Sequence, residues 1–113
     1  MQYDKDMDSP HKVFFLEVRA YLLSTEGMDE TRKDRITTYS YRGGGVCHVR
    51  TMPHGIDVGF LKGARMKDKL NRLTGDGKAM RVLPMAVFDR TALDYYIPQA
   101  VELARPKSRG VCK

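Results

Sequence analysis

The chain has 113 residues, 42% of them apolar and 30% charged, a composition that suits one soluble globular domain. A domain of this length buries roughly 65% of its extended-chain surface, enough for a hydrophobic core without disulfide or metal staples. No apolar run approaches the roughly 20 residues of a membrane span, and residues 1–6 lack the basic start and apolar centre of a secretory signal, so the expected location is the cytoplasm with no membrane partner.

The formal net charge of +6 is unevenly placed. Residues 62–78 carry six Lys or Arg against two Asp, residues 105–113 carry four basic residues and no acid, and residues 1–8 are net acidic. A basic connector and a basic tail attract phosphate, nucleic acid or an acidic protein, although solvated loops carry the same pattern. Cys47 and Cys112 form no disulfide or zinc spacing and are expected as reduced thiols.

Residues 1–8 read as a disordered leader, residues 9–104 as a single domain and residues 105–113 as a flexible tail. Ser9-Pro10 supplies a helix start. Phe14, Phe15, Val18, Tyr21 and Leu22 then recur at helical spacing, which predicts a helix to about residue 24 with one buried face. Gly27 ends it, and the charged residues 28–34 read as an exposed connection or a short helical turn.

Residues 36–41, rich in β-branched and aromatic side chains, read as a strand, with a turn expected at Gly43-Gly44-Gly45. Residues 46–51 make a second strand. Ile56, Val58 and Phe60 alternate with Asp57 and Gly59 in a third, and residues 79–83 make a fourth that Pro84 stops, with residues 85–88 as an extension. Tight turns between short strands imply an antiparallel meander. Asp89 reads as an N-cap for a last helix whose Leu93, Tyr96, Ile97, Ala100, Val101 and Ala104 share one stripe, and Pro98 predicts a kink or break near Ile97.

These elements predict an α+β fold: an antiparallel sheet of four to six strands with N- and C-terminal helices packed on one face and the other face toward water. If Ile56, Val58 and Phe60 point inward, Asp57 and Gly59 point outward, joined in the expected register by His48, Arg50, Tyr39, Tyr41 and Arg81. A one-residue slip reverses every such assignment.

Three blocks carry a family resemblance: Asp57-Val58-Gly59-Phe60-Leu61-Lys62-Gly63-Ala64, Leu73-Thr74-Gly75-Asp76-Gly77-Lys78-Ala79-Met80-Arg81, and Gln99-Ala100-Val101-Glu102-Leu103-Ala104. In order and approximate spacing, residues from about 12 to 104 resemble the YdhG-like family of small bacterial domains of unknown function. The resemblance implies a frataxin-like α+β fold and no settled activity. One group of that family is described as an intracellular iron chaperone, which implies iron as the cofactor or cargo under that reading alone. The first helix offers Glu17 as its only central carboxylate, and the basic balance of the chain also opposes an iron site.

The candidate sites are modest. His48 and His54, with Cys47, are weak metal candidates, because thiolate and imidazole suit zinc or iron but Cys47 and His48 point to opposite faces of one strand. Gly75-Asp76-Gly77-Lys78 is not a nucleotide-phosphate loop, since Ala79 follows the lysine. Its amides, with Lys62, Lys78 and Arg81, form a candidate rim for a small anion. Tyr39 and Tyr41 with Arg50 would suit single-stranded nucleic acid if all three emerged on one exposed face. No acid, base and nucleophile can be named together. The expected function is a small non-enzymatic binding or carrier module for an anionic ligand or acidic protein, with iron handling or single-stranded nucleic-acid binding as alternatives.

Overall fold

A computed structural model describes residues 1–105; of the tail expected over residues 105–113, all but Arg105, Cys112 included, lies outside the described residues. The chain runs through helices α1 (Gln2–Met7) and α2 (Lys12–Leu23), strands β1 (Met28–Arg32), β2 (Thr37–Tyr41), β3 (Gly44–Met52), β4 (Gly55–Phe60) and β5 (Arg81–Met85), and helix α3 (Arg90–Ala104). All neighbouring strands pair antiparallel in the order β1-β2-β3-β4-β5, so the expected α+β meander is what forms.

The acidic leader is not disordered but forms α1. Its Asp6 is fully buried, and its Oδ1 accepts from the Thr51 amide at 3.0 Å and the Thr51 hydroxyl at 2.7 Å. β2 pairs with β3 only as far as Thr37↔Val49, so Thr51 has no β2 partner and the carboxylate takes its place. Between α1 and α2, Ser9 Oγ accepts from the His11 amide at 3.0 Å and turns the chain into the second helix.

The charged segment after Gly27 is a strand, β1, rather than an exposed connection. Its Glu30 points inward, where Arg19 Nε donates to it at 2.7 Å, the Tyr39 hydroxyl at 2.8 Å and Arg32 Nε at 3.0 Å. Paired charges of this kind hide an inward face from a reading based on apolar alternation. The β2–β3 hairpin turns on Arg42 and Gly43, both with positive φ, and Gly44 and Gly45 already belong to β3.

Two expectations about proline are corrected. β5 continues through Pro84, which is tolerated because β5 is an edge strand and a missing N–H there breaks no ladder. α3 runs unbroken past Pro98, carried by the burial of Leu93, Tyr96, Ile97 and Ala100 on either side. The Asp89 side chain caps this helix by accepting from the Ala92 amide, as the sequence suggests.

The core lies between the helices and one face of the sheet. Phe15, Val18 and Leu22 of α2 and Leu93 and Tyr96 of α3 meet Cys47, Val49, Ile56, Val58, Phe60 and Leu83, all fully buried. Each large apolar side chain so buried contributes about 1.5–3 kcal/mol. Phe60 and Tyr96 lie with ring centroids 6.0 Å apart and fix α3 over β4.

The basic connector between β4 and β5 is docked on α3. Lys67 and Gln99 exchange two hydrogen bonds, 2.7 Å from the Lys67 amide to Gln99 Oε1 and 3.2 Å from Gln99 Nε2 to the Lys67 carbonyl. Asp68 accepts from the Tyr96 hydroxyl and, at 3.0 Å, from the Arg72 amide, while Arg72 pairs with Asp89 at 2.6 Å. Burial favours the protonated form of Asp68, but these donors outweigh it and hold the carboxyl below its ordinary range.

Candidate functional site

Directly paired residues on neighbouring strands point to the same face, so the register decides what the uncovered side of the sheet presents. Val49 pairs with Val58 and faces the core, which leaves His48, Arg50, Asp57 and Gly59 on the opposite side, with Val82 of β5 beside Gly59. Ile36 from the β1–β2 turn and Met80 from the end of the connector lie against this surface. Together they line a depression of about 170 Å³.

Its floor is largely apolar, through Ile36, Met80 and Val82. Gly59 is part of the reason: a Cβ there would stand 3.1 Å from Met80 Cε, so glycine lets the methionine side chain lie across the sheet. His48 Nδ1 is 3.0 Å from the Thr38 hydroxyl. Burial, reinforced by the Lys33 charge, lowers the His48 pKa, and the ring is a neutral hydrogen-bonding group near neutral pH.

Arg50 and Asp57 lie directly opposite one another. Asp57 Oδ1 is engaged by His54 Nε2 at 2.8 Å. Arg50 is exposed, and among the described residues its guanidinium makes no ion pair closer than 4 Å and no side-chain hydrogen bond. The site therefore combines an apolar floor, a neutral imidazole and one uncommitted cation. In chemical terms, an apolar surface of this kind can bury the apolar part of a small molecule while a guanidinium meets an acidic group.

Of the residues singled out in the sequence, His48 and Arg50 join this site. Tyr39 and Tyr41 do not. Tyr39 pairs with Cys47, and both are fully buried on the helix-covered face; Tyr41 is buried there too, with Arg42 and Arg105 over its ring. Neither tyrosine is placed to stack on a base, and the combination with Arg50 that would suit single-stranded nucleic acid is not formed.

The connector rim is also redistributed. Arg81 pairs with Phe60, so it does not share a face with Gly59, and its Nη1 donates to the Gly77 and Met80 carbonyls at 2.6 and 2.7 Å. Lys62 Nζ donates to the Leu103 carbonyl at 3.0 Å, at the C-terminal end of α3. Lys78 stands exposed on the loop. Gly75 has φ of +109°, the conformation a tight turn requires, and Gly77 is open to solvent with nothing within 4 Å of a Cβ position.

The three resemblance blocks consequently meet in space as packing. The first reaches the third through Lys62 and Leu103, and it reaches the second through a 2.8 Å hydrogen bond from the Ala64 amide to the Ala79 carbonyl. A Cβ at Gly63 would stand 2.6 Å from Arg81 Cβ, so the glycine serves close approach.

The metal candidates stay apart. His48 is turned to Thr38 and His54 to Asp57, Cys47 is buried with its thiol pKa pushed far up by that burial, and no group of three or more His, Cys, Asp or Glu is placed to hold an ion among the described residues. Among the same residues no helix is long and apolar enough to cross a membrane.

Sequence reasoning missed Ile36, Met80 and Val82. The alternation that marks Val82 is short, and no periodic signal marks a methionine reaching back from a connector. No family model matches the chain, and neither a curated protein nor a solved structure matches it.

Proposed function

We propose that this protein is a small non-enzymatic binding module that takes a small organic acid with an apolar body on the uncovered face of its sheet. The observation that carries the reading is the uncommitted Arg50 guanidinium beside the depression floored by Ile36, Met80 and Val82. A carboxylate or phosphate meets Arg50 through two parallel N–H donors, and the attached ring or short chain leaves water against the floor. His48 supplies a neutral hydrogen bond whose sense follows its tautomer. The three sequence blocks support reading the chain as a YdhG-like domain, and the free, buried Cys47 accords with a reducing cytoplasm.

Benzoate is a suitable test molecule, since its ring is compact and its carboxylate is ionised at neutral pH. Titration into the labelled protein, followed by amide and methyl NMR, is expected to give saturable shifts at Ile36, His48, Arg50, Gly59 and Val82. Benzyl alcohol, which lacks the charge, and inorganic phosphate, which lacks the ring, should each bind more weakly. Shifts centred on Gly75, Gly77 and Lys78 would return the site to the connector, and a response confined to ferrous iron or a short single strand would favour one of the other two classes.

A further inference from the structure

α1 holds two of the segments that build the depression, although it lies on the opposite side of the sheet. Asp6 Oδ1 receives three hydrogen bonds, from Gln2 Nε2 at 2.9 Å, the Thr51 amide at 3.0 Å and the Thr51 hydroxyl at 2.7 Å. Thr51 adjoins Arg50 in β3. At its other end, the Gln2 amide donates to the Lys33 carbonyl at 3.4 Å, and Lys33 closes the β1–β2 turn with a 2.9 Å bond to the Ile36 carbonyl. Tyr3, between these tethers, packs edge-on against Phe15 and lies under the Arg32 guanidinium at 3.6 Å.

We infer that α1 is a detachable brace that sets the spacing of Ile36 and Arg50, and so regulates the ligand site on the far face. The inference rests on the binding reading for its purpose, but its geometry is independent of any ligand. A six-residue helix has little stability of its own, and its docked state depends on the Asp6 bonds and the Tyr3 contacts. Releasing it leaves the Thr51 amide without a partner and frees the Lys33 turn. Coupling is reciprocal, so a ligand that orders Ile36 and Arg50 also tightens the docking of α1.

Asp6 Oδ2 is buried without a partner, so the side-chain bonds of Asp6 all run through Oδ1, the acceptor on which two variants differ. Asp6→Asn keeps the acceptor facing Thr51, whereas Asp6→Ala removes it. Hydrogen exchange at the Thr51 amide should accelerate about tenfold or more in Asp6→Ala, the loss expected when a buried amide is left without its acceptor, and accelerate less in Asp6→Asn, whose amide oxygen still accepts. In the same ligand-free Asp6→Ala sample the Ile36 methyl and His48 ring resonances should move, and in Asp6→Asn they should return.

Gln2→Ala removes a single bond to Asp6 and should give the same changes in smaller measure if Asp6→Ala does not fold. Faster Thr51 exchange with Ile36 and His48 resonances unmoved would overturn the brace, as would unchanged Thr51 exchange in Asp6→Ala or Gln2→Ala. Failure of benzoate to bind the wild type would instead count against the binding reading alone, because both brace readouts are taken without ligand.

Discussion

The Lys62 ammonium lies 3.0 Å from the Leu103 carbonyl and ties the exit of β4 to the last turn of α3. A cation at that position satisfies a carbonyl left without an intrahelical partner and complements the negative end of the helix. Lys62→Met should therefore lower stability by about 0.5–1 kcal/mol, read from the urea midpoint. Its affinity for inorganic phosphate should not change; a marked loss of phosphate binding with unchanged stability would show that Lys62 serves a ligand.

Glycines that look alike in sequence carry different constraints. Gly63→Ala brings a methyl 2.6 Å from Arg81 Cβ and 2.8 Å from the Arg81 nitrogen, where only backbone movement gives room. It should cost about 1–3 kcal/mol, the usual range for overpacking. Gly75→Ala forces an L side chain into left-handed backbone and should cost about 1–2 kcal/mol, while Gly77→Ala should stay within about 0.5 kcal/mol. Thermal unfolding of the three variants checks the order, and equal effects at Gly75 and Gly77 would refute it.

Glu30 makes the fold sensitive to acid. Burial by itself raises its pKa, but the hydrogen bonds from Arg19, Tyr39 and Arg32 outweigh burial and hold the carboxyl below its ordinary value. A group depressed in the folded state stabilises fully above its unfolded value, about 4.3, and loses that contribution as pH falls through the lower folded value. Glu30→Gln should thus be about 1–2 kcal/mol less stable than wild type near neutral pH, allowing for the partly exposed arginines. The gap should shrink as acid protonates the wild-type carboxyl. Urea unfolding at about pH 7 and about pH 3 measures it, and a gap independent of pH would assign the effect to shape rather than charge.

Much of the fold is legible in the chain because its core elements keep a clean period. Phe15, Val18 and Leu22 give one helix, Ile56, Val58 and Phe60 a strand, and Leu93, Tyr96 and Ile97 another helix. What was hidden depends on partners far away in sequence. Asp6 and Glu30 are inward-facing carboxylates whose donors come from β3, from α2 and from Tyr39, so their segments look solvated when read alone. The site was half legible for a similar reason. Alternation places His48 with Arg50 and Asp57 with Gly59, but only the Tyr39↔Cys47 and Phe60↔Arg81 pairings remove the tyrosines and Arg81 from that face. Ile36 and Met80 reach it from loops, where periodicity has nothing to report.

Benzoate dissociation constants for wild type, Arg50→Ala and Lys78→Ala decide whether a small acid binds through Arg50 on the uncovered sheet face. Loss of a charge-assisted contact should weaken Arg50→Ala by about tenfold or more, with Lys78→Ala unchanged and both variants as stable as wild type. Equal affinity in Arg50→Ala and wild type, or a loss confined to Lys78→Ala, would show that the acid does not bind through Arg50.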